Sequence, residues 1–211
     1  MPSSIQIHPP NSNDPSLSPE AVPYQSLLGS WQVVASTLPL WRDKKNVTIT
    51  YSALPSQPQT TFDDLVSYNK RSDPVGKAVS TVRGVDRLEG GGGNGARWKW
   101  RGKGWLMVAT SHWQLLGYRL LPPSSLAASA SAPPSSPEFV VTFFSSSIFS
   151  PAGIDLYQRK GSIPLSDEFV EGVVEKLNEV QELKEVMQKG EGMFRIPHDP
   201  EPLERKKSRV M

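Results

Sequence analysis

A chain of 211 residues has room for one domain with a substantial core and tails, but not for two full domains. Its 23 Lys and Arg nearly cancel its 21 Asp and Glu, so no overall field points to nucleic acid or to an anionic membrane. The absence of cysteine excludes a disulfide scaffold, a thiolate metal site and a thiol nucleophile.

Residues 1–24 are rich in Pro, Ser and Asn and poor in large apolar side chains, which predicts a disordered N-terminal arm. They lack the apolar stretch of a secretory leader, and no later run reaches the ~18 residues of a membrane-spanning helix, so a cytoplasmic protein is expected. The folded unit is placed at 25–190. Short β-branched and aromatic segments separated by turn clusters predict strands at 30–37, 46–53, 62–70, 76–88, 96–109, 114–121, 138–145 and 153–159. Alternation is clearest at Val47, Ile49 and Tyr51, which share one face while Asn46, Thr48 and Thr50 take the other. Gly90 to Gly95 reads as a hairpin turn, and the low-complexity stretch 122–137 as a solvated insertion between strands. One helix follows at about 167–188, with Ser166 as its N-cap and Phe169, Val170, Val173, Val174, Leu177, Val180, Leu183 and Met187 on an apolar side. Residues 191–211 are expected to be a loose basic tail.

The predicted fold class is therefore all-β: an eight-stranded antiparallel up-and-down β-barrel with a C-terminal helix packed outside. Leu28-Gly29-Ser30-Trp31, Leu38-Pro39-Leu40-Trp41-Arg42 and Asn46 to Tyr51 resemble the opening Gly-x-Trp motif, linker and second strand of lipocalins, in particular the bacterial lipocalin and apolipoprotein D branch. Tyr68-Asn69-Lys70, Gly76-Lys77-Ala78, Leu106 to Ala109 and Leu116-Gly117-Tyr118 look like its middle strands. Gly153 to Arg159 resembles the last strand, and Leu165-Ser166-Asp167-Glu168 opens the helix. The likeness spans about 27–188 and is nearest to intracellular lipocalin-like proteins of fungi. It implies that Trp31 closes one end of the barrel with Arg159 lying across the indole, as structural residues rather than ligand contacts.

In such a barrel, alternate side chains face a hollow. Of six tryptophans, four crowd the segment from Ala96 to Trp113, where Trp98 and Trp100 share a face opposite Arg97, Lys99 and Arg101. Burying three cations would cost several kcal/mol each, so the aromatics are placed inward. The candidate ligand wall is Val47, Ile49, Tyr51, Val66, Tyr68, Trp98, Trp100, Trp105, Met107, Tyr118, Phe139, Val141 and Phe143. Plain core packing is the alternative reading for each of them.

Catalytic candidates are few. His112 could act as a general base oriented by Asp86 or Asp155, and Arg83, Asp86 or Arg87 could place a charge inside the barrel. Ser111 and His112 are neighbours on a strand and point to opposite faces, so they do not form a dyad. No set of metal ligands and no cofactor is implied. The expected partner is a hydrophobic or aromatic small molecule, with no nucleic acid. The competing readings are a cyclase or isomerase of natural-product biosynthesis using the same cavity, and an adaptor acting through the two tails.

Overall fold

The computed structural model of the chain describes residues 5–18, 20–56, 60–89, 96–120, 137–148 and 150–200. The glycine run 90–95, all but Pro137 of the stretch 122–137, and residues 201–211 lie outside them.

Eight strands follow one another: β1 (Gly29–Ser36), β2 (Lys44–Ala53), β3 (Thr61–Lys70), β4 (Ser80–Leu88), β5 (Arg97–Gly102), β6 (Thr110–Arg119), β7 (Phe139–Phe144) and β8 (Gly153–Arg159). Each is antiparallel to the next, and β1 pairs with both β2 and β8, so the sheet closes into an up-and-down barrel without a free edge. A two-residue strand, β9 (Phe194–Arg195), joins the outer part of β1. The period-2 pattern of β2 is obeyed, with buried and half-buried residues alternating along it. β8 is buried at every position, because its inward face meets the core and its outward face meets helices.

The expected single helix is two: α2 (Asp167–Glu179) and α3 (Gln181–Lys189), counted after a short α1 (Tyr24–Leu27). Ser166 caps α2, its Oγ accepting from the Phe169 N–H at 3.1 Å. Val180, at ψ 116°, breaks the helix. The apolar stripe nevertheless continues across the break. Val170, Val173, Leu177, Leu183 and Met187 cover Leu116, Val141, Ile154 and Leu156 on the outside of the barrel, each buried side chain contributing roughly 1.5–3 kcal/mol.

Three further expectations are corrected. The strand placed at 96–109 ends at Gly102; Gly104–Leu106 is a 3-10 turn, and the chain reverses there into β6. Gly104 has φ +63°, a conformation that glycine adopts without strain. Residues 5–18 and 20–24, expected to be disordered, are packed. The His8 N–H donates to the Leu116 carbonyl at 2.8 Å, Leu17 and Val22 are buried, and Tyr24 stacks on Phe62 with ring centroids 4.5 Å apart. A few large apolar side chains suffice there because the barrel end supplies a ready apolar surface. The first part of the expected loose tail is also held: Ile196 is buried and Asp199 accepts from Lys45 and Asn46.

Arg159 is the keystone of the end covered by this arm. Its guanidinium lies 3.9 Å from the centroid of the Trp31 ring, pairs with buried Glu138 at 3.1 Å, and donates to the carbonyls of Ser26 and Leu28. Trp31 Nε1 donates to the Leu27 carbonyl at 2.9 Å. Gly29 has φ +102°, and a Cβ there would sit 3.1 Å from Arg159. The Gly-x-Trp spacing thus provides both the backbone turn and the space that the cation occupies.

Candidate functional site

Along its axis the barrel interior divides into a filled half and a hollow half. The filled half, next to α1, is a cluster of rings. Phe62 meets Trp98 at 4.3 Å, Trp98 stacks on Trp113 at 5.8 Å, and Trp113 stacks on Tyr51 at 5.8 Å. Above this floor lies a cavity of about 730 Å³, opening between the loops that join β1 to β2, β3 to β4, β5 to β6 and β7 to β8. Tyr51, Trp113 and Tyr157 form its base, while Ile49, Val66, Tyr68, Val82 and Trp100 form its walls. Leu38, Trp41, Trp105, Val108 and Phe144 stand at the rim. Gly84 shapes one wall, because a Cβ there would fall 2.1 Å from Trp100 Nε1; the missing side chain is the space the indole fills.

The polar residues reaching this space from the interior are Tyr51 and Tyr157 at its base and two acids, Asp64 and Asp155. Asp155 accepts from Ser36 Oγ, from Trp41 Nε1 at 3.2 Å and from the Tyr157 hydroxyl at 3.5 Å. Burial raises its pKa to about 7 in spite of those bonds. Asp64 and Asp86 lie on neighbouring strands β3 and β4, and Trp113 Nε1 donates to Asp86 Oδ1 at 2.7 Å. Burial raises Asp86 to about 7, and burial together with the Asp86 charge pushes Asp64 well above the usual carboxylate range. The pair therefore retains a proton at neutral pH. Asp64 Oδ1 and Asp86 Oδ2 are buried without a hydrogen-bond partner among the described residues. Asp64 and Asp155 line the cavity. The lining cation is Lys44 at the mouth, whose ammonium is held by Asp43 at 2.7 Å.

By sequence, no family model and no curated protein matches the chain. By structure it is similar to lobster apocrustacyanin A1, with a TM-score of 0.54 at 13% identity over 95% of this chain and 94% of that one. It is similar also to H1 crustacyanin from the lobster Homarus americanus, with a TM-score of 0.52 at 10% identity over 94% and 93% of the two chains. The barrel has the lipocalin fold.

Of the expected ligand wall, this lipocalin barrel brings Ile49, Tyr51, Val66, Tyr68, Trp100 and Trp105 to the cavity. The other seven do not line it. Val47 and Trp98 are buried in the inner core, Trp98 within the ring cluster of the floor. Met107 is exposed on the β5–β6 turn, where the expected strand does not exist. The Tyr118 hydroxyl donates to the carbonyls of Ser16 and Ala21 and so anchors the N-terminal arm. Phe139, Val141 and Phe143 face outward to the helix side; both faces of β7 are apolar, so alternation alone could not tell inside from outside.

The catalytic candidates separate in the same way. His112 points outward, about half exposed, with Nδ1 3.1 Å from Glu89 Oε2, and it reaches neither Asp86 nor Asp155. Arg83 and Arg87 are exposed on the outer face of β4, whereas Asp86 is inside. His8 and His198, expected in tails, are ordered: His8 Nε2 lies 3.0 Å from Ser16 Oγ and His198 Nε2 lies 2.9 Å from the Val33 carbonyl. Among the described residues no group of three or more potential ligands could hold a metal ion.

The wall residues that sequence reasoning missed are Trp41, Asp64, Val82, Ser111, Trp113, Phe144, Asp155 and Tyr157. For several of them the signal was present. Asp64 alternates with Phe62, Val66 and Tyr68 on β3, and Asp155 with Tyr157 and Arg159 on β8. Carboxylates on an otherwise apolar face mark an interior position.

Proposed function

We propose that this protein binds a hydrophobic or aromatic small molecule non-covalently inside the barrel. The observation that carries the reading is the 730 Å³ hollow with aromatic walls, open at one end and floored by a ring cluster at the other. A cavity of that size suits a drug-sized molecule held by shape and ring contacts, with a few polar groups fixing its orientation. Those groups, Asp64 and Asp155, are acids, so the ligand's buried polar end is a hydrogen-bond donor such as a hydroxyl or amine rather than a carboxylate. A carboxylate beside Asp155, which is partly ionised at neutral pH, would meet like charge in a low dielectric.

A place in the bacterial lipocalin and apolipoprotein D branch, near intracellular fungal members, belongs to the same proposal and is supported by motif resemblance; a cytoplasmic location is proposed with it. The cyclase or isomerase reading would use the same walls, and no feature of them favours turnover over retention of an unchanged ligand.

The test is a titration with 9-anthracenemethanol, a flat neutral alcohol, followed by tryptophan quenching and energy transfer. Saturable one-to-one binding is expected, with Trp100→Ala about tenfold weaker. Absence of saturable binding, or equal affinity in Trp100→Ala, overturns the reading.

A further inference from the structure

The exposed apolar side chains of this protein are not scattered. Eight large ones are exposed among the described residues, and seven stand on the loops around the cavity mouth. Leu40 is on the β1–β2 loop and Val75 and Val79 are on the β3–β4 loop. Met107, Val108 (81% exposed) and Trp105 (88%) are on the β5–β6 loop, and Ile148 (90%) is on the β7–β8 loop. The up-and-down topology puts these four loops at one end of the barrel. Single exposed apolar residues are ordinary, but a ring of them at one pole of a molecule marks an interaction surface.

Charge is polarised to the same pole. Residues 37–44, 70–79, 101–110, 145–148 and 150–152 carry seven Lys and Arg against two Asp; Arg42 and Lys103 also pair with Glu191 and Asp63, so the pole is about +3 while the whole chain is only +2 and the remainder is slightly negative. Lys70, Arg71 and Arg101 of this set are exposed. No helix among the described residues is long and apolar enough to cross a membrane.

We propose that the mouth of the barrel docks onto an anionic lipid bilayer surface, the loop tips entering the headgroup region and the basic side chains meeting the lipid phosphates and carboxylates. Aliphatic tips surrounded by Lys and Arg, with a tryptophan at interfacial depth, match that surface in both polarity and charge. A second copy fits less well, because two mouths of like charge would repel. Single-stranded nucleic acid also fits less well, since Val75, Val79, Val108 and Ile148 offer no aromatic face on which a base could stack. Docking in this orientation would present the cavity opening to the membrane. The surface does not depend on what the cavity holds, so the two proposals stand or fall separately.

The test is cosedimentation of the full chain with phosphatidylcholine vesicles, with and without phosphatidylserine. Retention is expected on the phosphatidylserine vesicles, weakened by salt. It should fall about tenfold or more in Val75→Ser/Met107→Ser/Ile148→Ser and in Lys70→Glu/Arg71→Glu. None of these five positions lines the cavity, so 9-anthracenemethanol should bind both variants as it binds the parent; that titration reports on the cavity alone. The exposed positions tolerate substitution, and circular dichroism verifies the fold. Three results would overturn docking: no retention on either vesicle, retention unaffected by both variants, or a dimer in light scattering that the triple serine variant abolishes without lipid.

Discussion

The acids inside the barrel make stability depend on pH in an unusual direction. Asp155 titrates at 3.8 in the ordinary state and at about 7 when folded, a shift whose first cause is burial. Between those values the folded state holds a proton that the unfolded state has released, so ΔG of unfolding falls as pH rises. The stabilisation is complete below about pH 4 and is lost as pH passes through about 7. At 1.36 kcal/mol per pH unit, Asp155 contributes a loss of about 2–3 kcal/mol between about pH 5 and about pH 8, and the Asp64–Asp86 pair adds in the same direction. Opposing groups act elsewhere. Asp14, Asp43, Asp73 and Asp199 are held below the usual range by hydrogen bonds from Ser16, Lys44, Lys77 and Asn46, and their contribution is lost only as pH falls below about 4. Stability should therefore peak in mildly acid solution. Urea unfolding across this range, compared with Asp155→Asn, isolates the contribution of Asp155, because the amide does not titrate while its one carbonyl oxygen still accepts from Ser36. The variant's decline should be about 2–3 kcal/mol shallower. Parent stability that is flat or rising from about pH 5 to about pH 8, or identical slopes in parent and variant, would refute the reasoning.

Arg159→Met should lose about 3–5 kcal/mol, because it removes the cation paired with buried Glu138 and the donor to the carbonyls of Ser26 and Leu28. Glu138→Gln in the same chain should restore part of it, which thermal unfolding would register. Leu17→Ala should cost about 2–5 kcal/mol by the same measurement, as a residue of the packed arm and not of a disordered one. In competition against 9-anthracenemethanol, an anthracene methylamine should displace the probe at lower concentration than anthracene carboxylate. Asp155→Asn should narrow that gap.

The barrel itself was legible because its strands carry two independent signals: period-2 patterning, as at Val47, Ile49 and Tyr51, and the Gly29 to Trp31 and Arg159 motifs that close its end. What sequence could not convey was three-dimensional context. The arm looked disordered because composition is read locally, while Leu17 and Tyr24 gain their partners from the distant strands β3 and β6. β7 reads as apolar on both faces, so its cavity residue, Phe144, was exchanged for outward ones. Trp105 and Met107 were strung along a strand because the apolar run after Gly104 masks a turn that only the +63° glycine betrays. Of the buried acids, Asp86 reads as a possible interior charge and Asp155 only as a partner of His112, while Asp64 was the clearest missed signal, since charge at an inward register position can be seen from alternation alone.

Methyl NMR of the complex with 9-anthracenemethanol probes the hollow half of the barrel most directly. Intermolecular contacts should arise from Ile49, Val66 and Val82, which surround the cavity, and should saturate at one probe per chain. Contacts confined to the rim at Val108 and Ile148 or to the outer helices, with the interior methyls silent, would contradict a binding cavity inside the barrel.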